Sequence, residues 1–272
     1  MIAIAGGTGR LGSLLARRLA ERGIDVRVIT RDPTRADHLR DLPVQIVTAD
    51  VRDRAGVRAA LQGATTTLSA VHGFAGPGRV SPQSVDRGGN ANLIDAAAEL
   101  HVDVILMSVV GAAADHPMEL FRAKHAAEQH LIASNARWTI VRATAFLELW
   151  VEIMTKPIVF GRGENPINFV SVNDVAAVVE RAVLDAHLRG QIVEIGGPHN
   201  LTFNQLAALL QQTRAQPGRV RHIPRPVLRL AAPFSRKART AIAMDTIDMT
   251  FTPPRPHPDQ PLTEPLDALA HR

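Results

Sequence analysis

Short apolar runs alternate with amphipathic stretches through the first half of the chain. Ile2-Ala-Ile-Ala5 predicts a buried strand, and Ser13 to Arg22 predicts a helix that stops at Gly23. Val26-Arg-Val-Ile-Thr30 is alternating and β-branched, which predicts a second strand; Val44-Gln-Ile-Val47 predicts a third and Thr65 to Val71 a fourth. Helices are expected at Asp53 to Leu61 and Ser84 to Leu100. A fully buried fifth strand at Asp103-Val-Ile-Leu-Met107 follows, then an amphipathic helix at Glu119 to Ser134, a sixth strand at Trp138 to Arg142 and a helix at Phe146 to Thr155. Strands and helices alternating at these lengths predict an α/β fold, a doubly wound parallel sheet with helices on both faces.

From Lys156 the texture changes. Short strands are predicted at Asn168-Phe-Val-Ser-Val172, Ile192-Val-Glu-Ile195 and Val220-Arg-His222, separated by helices at Asp174 to Asp185 and Phe203 to Arg214. The second helix opens with Thr202-Phe-Asn-Gln205, a capping box. The division expected is therefore a nucleotide-binding domain over 1–155, a smaller C-terminal substrate-side subdomain over 156–252 interleaved with the sheet, and a poorly ordered Pro-rich tail over 253–272.

The stretch between the first strand and the first helix carries the chemistry. Gly6, Gly9 and Gly12 stand at GxxGxxG spacing in Gly6-Gly-Thr8-Gly9-Arg10-Leu11-Gly12. A strand that turns sharply into a helix aims unpaired N–H groups and the positive end of the helix dipole at one spot, which suits a pyrophosphate. Gly6 permits the turn, Gly9 lets the ligand approach the backbone, and Gly12 lets the helix pack on the sheet. The second strand ends in Thr30-Arg31-Asp32: Arg31 favours a 2′-phosphate and hence NADP, with NAD possible because Asp32 could pair with Arg31 or meet the ribose itself. Asp50-Val51 follow the third strand, where Asp50 could accept from the adenine amino group or cap the next helix. The fourth strand runs into His72-Gly-Phe-Ala-Gly-Pro-Gly78, expected to be a mobile loop over the site.

Composition narrows the class. At 272 residues, 46% hydrophobic and 21% charged, the chain fits a soluble globular protein with a sizeable core, and no apolar run predicts a membrane span. A cytoplasmic location is expected. With no cysteine there is no disulfide, thiolate nucleophile or Cys-based metal site. The formal charge of +5 and pI near 10.7 are spread along the chain as Arg, with one dense run at Arg236-Lys237-Ala-Arg239, so no nucleic-acid partner is expected.

The order of motifs resembles the extended and atypical short-chain dehydrogenase/reductase superfamily, and within it the NmrA-like NAD(P)H-binding group. The likeness is carried by Gly6 to Gly12, by Val85-Asp-Arg-Gly-Gly-Asn-Ala-Asn-Leu-Ile-Asp-Ala-Ala97, by Met107-Ser-Val-Val-Gly111, by Arg122-Ala-Lys-His-Ala-Ala-Glu128, by Thr139-Ile-Val-Arg142 and by Phe169-Val-Ser-Val-Asn-Asp174. The resemblance implies a seven-stranded Rossmann sheet, a nicotinamide cofactor, and Lys124 reaching the nicotinamide ribose hydroxyls. Members that act on alcohols use Tyr-x-x-x-Lys; here the position is Leu120, and the chain has no tyrosine. The family's catalytic Ser or Thr aligns with Ser108, or else with Val109 or Val110, and Ala143-Thr144 stand where a Pro often follows Arg142.

Several side chains remain candidates. Lys124 and Glu128 are one helical turn apart and read either as a surface pair or as site residues. His125 and His130 fall on different helix faces, so no metal site is expected with Glu128. Arg142 could hold a substrate or phosphate, or pair internally with Asp174 or Glu148. Thr144, with Phe146 and Trp150, could border a substrate pocket. Lys124, Ser108 and Thr144 are thus the catalytic candidates, with Ser108, Thr144 or His72 as the base if one is needed. Two function classes follow: an NADPH-dependent reductase of a quinone-like or activated carbonyl or alkene acceptor, or a sensor that reports the NADP(H) pool to a protein partner. A nucleotide-sugar epimerase ranks third, because it too would need a base in place of Tyr.

Overall fold

The computed structural model describes residues 1–73, 80–154, 158–213, 219–252 and 262–270. Strands β1 (Ile2–Ala5), β2 (Val26–Thr30), β3 (Val44–Thr48), β4 (Thr66–Ser69), β5 (Asp103–Val109) and β6 (Trp138–Ala143) form where the apolar runs predict them. The short strands β7 (Ala145–Phe146), β8 (Ile158–Phe160) and β9 (Ile167–Val170) follow, then β10 (Gln191–Ile195), β11 (Asn200–Leu201) and β12 (Arg221–Ile223). The helices are α1 (Arg10–Glu21), α2 (Arg54–Ala60), α3 (Asn90–Glu99), α4 (Glu119–Ile132), α5 (Leu147–Ile153), α6 (Val172–Leu184), α7 (Phe203–Thr213), α8 (Arg225–Ala231), α9 (Arg236–Met244) and α10 (Pro265–Ala270).

A seven-stranded sheet runs in the order β10-β6-β5-β4-β1-β2-β3. Ile2 of β1 stands in parallel register with Val26 on one side and Thr66 on the other. The seventh strand, β10, is bonded to β6 at both ends, through Gly190 N to Trp138 O at 2.6 Å and Thr144 N to Ile195 O at 3.0 Å. Its sequence neighbours had suggested a place in the smaller subdomain; its half-exposed, weakly alternating residues suit a sheet edge. The strand order reverses between β1 and β4, so the carboxyl ends of these two strands border the crevice where open α/β sheets bind ligands.

Both faces are covered, as the doubly wound pattern requires. One face packs Ala3, Ala5, Val104 and Leu106 against Leu61, Leu93, Ala97, Ala127 and Leu131 of the α2, α3 and α4 region. Full burial of each large aliphatic side chain contributes about 1.5 to 3 kcal/mol. α1 and α6 are joined by Arg22 Nε to Glu180 at 2.5 Å. At the amino end of β5, Asp103 takes Arg137 and Arg189 at 2.7 and 2.8 Å.

One predicted helix is built differently. Ser84 to Leu100 was expected to be a single α-helix, whereas Pro82–Gly89 is a π-helical stretch, opened by a reciprocal Ser81–Ser84 capping box, that passes into α3. Gly88 and Gly89 are weak helix formers. A Cβ on Gly89 would sit 2.6 Å from Val51 Cγ2, so the wider turn brings backbone against β3's following loop. Such π turns concentrate at functional sites.

The chain falls into two compact units, Met1–Arg142 with Val175–Glu194, and Ala143–Asp174 with Ile195–Arg272, so it crosses between them at 142, 174 and 194. In the second unit β11, β9 and β7 form one small sheet and β12 pairs with β8. Thr202 and Gln205 form the reciprocal cap expected at the start of α7, with bonds of 3.1 and 2.8 Å. The basic run lies on α9. Of the tail expected to be poorly ordered, Pro265–Ala270 form α10, with Ala268 and Leu269 buried and Thr263 bonded to Asp174. Residues 253–261 and 271–272, residues 74–79 of the loop after His72, and Thr155 and Arg214 at two expected helix ends lie outside the described residues.

Candidate functional site

The glycine loop leaves β1 beside β4. Gly6 has φ +80°, and a Cβ there would meet Ala70 O at 2.8 Å, so both handedness and space demand glycine. A Cβ on Gly12 would lie 2.4 Å from Gly6 O, which is the close helix packing expected of the third glycine. Gly7, which the spacing did not single out, is equally constrained: its Cβ would meet Val28 Cγ1 at 2.7 Å. At Gly9 only Gly6 O lies near, at 3.2 Å, leaving open space on the ligand side. Gly9 is also the N-cap of α1, has no side-chain cap, and is followed by no acidic residue in the first turn. The donors of Arg10, Leu11 and Gly12 open a helix whose electropositive end carries no capping oxygen, and that donor set fits a pyrophosphate.

The end of β2 is tied to this loop. Thr8 Oγ1 lies 3.3 Å from Thr30 Oγ1, which donates to Asp32 O at 3.0 Å. Asp32 does not pair with Arg31: through Oδ1 its carboxylate accepts from Thr34 N at 3.0 Å and from Thr34 Oγ1 at 2.6 Å, capping the 3-10 turn Pro33–Leu39. These bonds hold its carboxyl below the usual range. Arg31 is exposed and makes no hydrogen bond or ion pair among the described residues. Arg35, one turn on and also exposed, is a second cation beside Arg31, legible in the sequence only through that spacing.

Asp50 is not the cap of α2, a place taken by Asp53, whose carboxylate accepts from Ala55 N at 3.1 Å. Asp50 instead holds Arg52 through paired bonds to its guanidinium, and this, with further help from Arg31, lowers its pKa. Val51 is buried, and its carbonyl accepts from Asn92 Nδ2 at 2.9 Å.

Lys124 is not a surface residue. It is 4% exposed, and its ammonium donates to Val71 O at 3.1 Å and Met107 O at 3.0 Å and meets Asp86 Oδ1 at 3.1 Å. Two of its donors are spent on these carbonyls, while Asp86 Oδ1 stands at ion-pair distance without a hydrogen bond of its own. Asp86, 0% exposed, comes from the π-helical stretch, and its other oxygen accepts from Gly73 N at 2.6 Å. One turn along, Asn90 donates to Asp86 O at 2.7 Å and receives Ser69 Oγ at 2.5 Å. Asp86 and Asn90 lay within a quoted motif, but nothing in their spacing told of a lysine partner from a distant helix.

Glu128 likewise turns inward. Its fully buried carboxylate takes Arg142 through two bonds, and Arg142 also reaches Glu194 at 3.3 Å, so the expected partners Asp174 and Glu148 are replaced. Asp174 binds Thr263, and Glu148 caps α6 by accepting Val172 N at 3.0 Å. His130 pairs with Asp95 at 2.7 Å. Ser108 sits at the carboxyl end of β5, 4% exposed, its hydroxyl without a partner among the described residues. Thr144 belongs to the second unit, where its hydroxyl donates to Asn168 Oδ1 at 2.9 Å; Trp150 there packs edge-on against Phe203. His72 leaves the end of β4 and keeps exposed surface, yet protein crowding desolvates its charged form. That crowding, with Lys124, Arg35 and Arg31, holds its pKa below the ordinary value against the pull of Asp86.

Comparison with known proteins bears on the cofactor class. A family model described as NAD(P)H-binding matches residues 6–186. NAD(P)H azoreductase of Xenophilus azovorans is 28% identical over 225 residues, covering 80% of this chain and 76% of the relative. Quinone oxidoreductase 2 of Escherichia coli is 27% identical over 217 residues, covering 77% of this chain and 73% of its own length. The crystal structure of an NADPH-dependent quinone oxidoreductase from Escherichia coli complexed with NADPH superposes with a TM-score of 0.77 at 21% identity, covering 100% of this chain and 99% of that one. Among the described residues no helix is long and apolar enough to cross a membrane.

Proposed function

The chain belongs to the NAD(P)H-binding family, and from that premise we propose that it is an NADPH-dependent oxidoreductase acting on a quinone-like, azo or otherwise activated unsaturated acceptor. One observation carries the reading. The position that would hold a phenolic acid–base is Leu120, and the lysine four residues on spends its ammonium on Val71, Met107 and Asp86. Oxidising an alcohol needs a base at its hydroxyl, whereas a reduced quinone or hydrazo product can take its protons from water. Acceptors of the second kind suit a site whose residues bind and orient rather than exchange protons.

The residues divide the work accordingly. Gly6, Thr8, Gly9, Arg10, Leu11 and Gly12 hold the pyrophosphate, Arg31 the 2′-phosphate, and Asp50 with Val51 the adenine. NADPH, when bound, supplies the hydride. The names of the azoreductase and quinone oxidoreductase relatives support this class of acceptor. A second reading, a sensor that binds NADP(H) without consuming it, is favoured by the same engaged Lys124 and missing phenol. Turnover of NADPH with quinones and azo dyes, and of NADP with secondary alcohols, measured on one preparation, separates the readings. Acceptor-dependent NADPH oxidation with negligible alcohol oxidation is expected. Robust alcohol oxidation would overturn the proposal, and tight NADPH binding without turnover on any acceptor would establish the sensor.

A further inference from the structure

The buried pair Lys124–Asp86 grips the chain on either side of one residue. Lys124 Nζ donates to the carbonyl of Val71 at 3.1 Å, and Asp86 Oδ2 accepts from the amide of Gly73 at 2.6 Å. The two side chains meet at 3.1 Å, and His72 stands between the two gripped peptide units. We propose that His72 binds a phosphate group of the NAD(P)H dinucleotide, and that the Lys124–Asp86 pair is the internal brace that positions it.

Placement supports this role. His72 follows β4, whose neighbour in the sheet is β1, and the glycine loop follows β1 at the same edge. The Gly6 turn lies against the chain just before His72, since a Cβ on Gly6 would be 2.8 Å from Ala70 O and 3.2 Å from Val71 N. The charged groups that act on the imidazole come from three elements: Asp86 from the π-helical stretch, Lys124 from α4, and Arg31 and Arg35 from the chain after β2. A single carboxylate, already committed to Lys124 and Gly73, therefore faces three cations. Burial makes the charged imidazole costly, and the three cations add to that against the pull of Asp86, so its pKa is held below the ordinary value and the surroundings suit an anion.

A dinucleotide phosphate reverses the balance. Its negative charge favours the imidazolium, so binding draws one proton from buffer onto His72, and affinity rises as pH falls through the region near neutrality. The inference rests on nucleotide binding at the glycine loop and is independent of the acceptor. It also gives Lys124 a part in cofactor binding without a direct bond to the ribose.

Calorimetric titration of the full chain with NADPH and with NADH at pH 7, in PIPES and in Tris, tests it. Buffer-dependent heats that report proton uptake are expected, with uptake lost and affinity roughly tenfold lower in His72→Gln. Uptake with NADPH alone would assign the 2′-phosphate; uptake with both dinucleotides would assign the pyrophosphate. Binding without uptake, together with unchanged affinity in His72→Gln, would overturn the proposal while leaving the nucleotide reading intact. Failure of both dinucleotides to bind would overturn both. For the brace, Lys124→Met and Asp86→Asn are each combined with His72→Gln. Losses smaller in combination than their sum are expected, and additive losses would remove the brace. Asp86→Asn keeps the side-chain volume and an acceptor for Gly73 N, so it gives the answer even where Lys124→Met does not fold.

Discussion

Arg142 closes on the fully buried carboxylate of Glu128 through two hydrogen bonds of 2.7 and 2.9 Å, joining the end of β6 to the middle of α4. Glu128 stands one helical turn from Lys124, so a single helix face carries two buried charges of opposite sign. Each is matched by a different element, Glu128 by Arg142 and Lys124 by Asp86. Such pairs add little net stability beyond an apolar replacement, but they are costly to break from one side, and they fix which surfaces can meet.

Arg142→Met is therefore expected to destabilise the protein by about 3 kcal/mol, because it strands Glu128 in the interior. Arg142→Met combined with Glu128→Leu should recover most of that loss. Urea denaturation of the two variants checks this; equal stability of the single variant and the parent would mean that water reaches Glu128.

Gly9 and Gly12 should separate binding from folding. Gly9→Val places its side chain in the open space where the pyrophosphate fits and should abolish NADPH binding in a folded protein, whereas Gly12→Val drives a Cβ to within 2.4 Å of Gly6 O and should impair folding itself. Circular dichroism with nicotinamide fluorescence titration reads both. Retained binding in a native Gly9→Val variant would reduce the loop to a turn.

Arg31, exposed and without a partner among the described residues, should confer preference for NADPH over NADH. Arg31→Ala should cost roughly tenfold in NADPH affinity and leave NADH little changed. Equal affinities in the parent protein would assign the 2′ position to other residues.

The sheet was legible because burial writes itself into short apolar runs: the brevity of Ile2 to Ala5 and the β-branched content of Asp103 to Met107 favour strands inside a covered sheet. The glycine loop was legible for a similar reason, since Gly9 and Gly12 answer to Gly6 O a few residues away, although Gly6 itself answers to Ala70 on the neighbouring strand end. The partners of Lys124, Glu128 and Arg142 were not, because they depend on which helix faces meet across gaps of 14 to 53 residues. The π-helical stretch escaped notice because the period of its apolar residues differs little from that of an α-helix over eight positions. Asp50 and Asp53 could each have capped α2, and only the turn geometry chose between them.

Asp103 should make stability pH-dependent at the acid end. Burial pushes its carboxyl upward, but hydrogen bonds and charges from Arg137 and Arg189 more than offset this, so its folded pKa lies below the unfolded one. A carboxyl shifted in that sense stabilises the fold above the unfolded pKa, near pH 4, and loses the contribution as pH falls through the folded value. Asp103→Asn should therefore lower the denaturation midpoint at pH 7 and converge on the parent below about pH 3. A deficit that persists undiminished in acid would mean that lost hydrogen-bond geometry, rather than charge, accounts for it.

Ser108 offers the clearest test of whether any hydroxyl takes part in the chemistry. Its side chain is buried at the carboxyl end of β5, one residue beyond the carbonyl that receives Lys124, and its hydroxyl has no partner among the described residues. An unsatisfied buried hydroxyl contributes nothing to stability, so Ser108→Ala should leave the fold unchanged or stabilise it by up to about 1 kcal/mol. Thr144→Val, by contrast, should destabilise, because it leaves Asn168 Oδ1 with one donor fewer. If Ser108 bonds to cofactor or acceptor during turnover, Ser108→Ala should lower kcat with an unaltered melting temperature, a combination that a purely structural residue does not produce. An unchanged kcat would remove Ser108 from the reaction and leave hydride delivery to positioning alone.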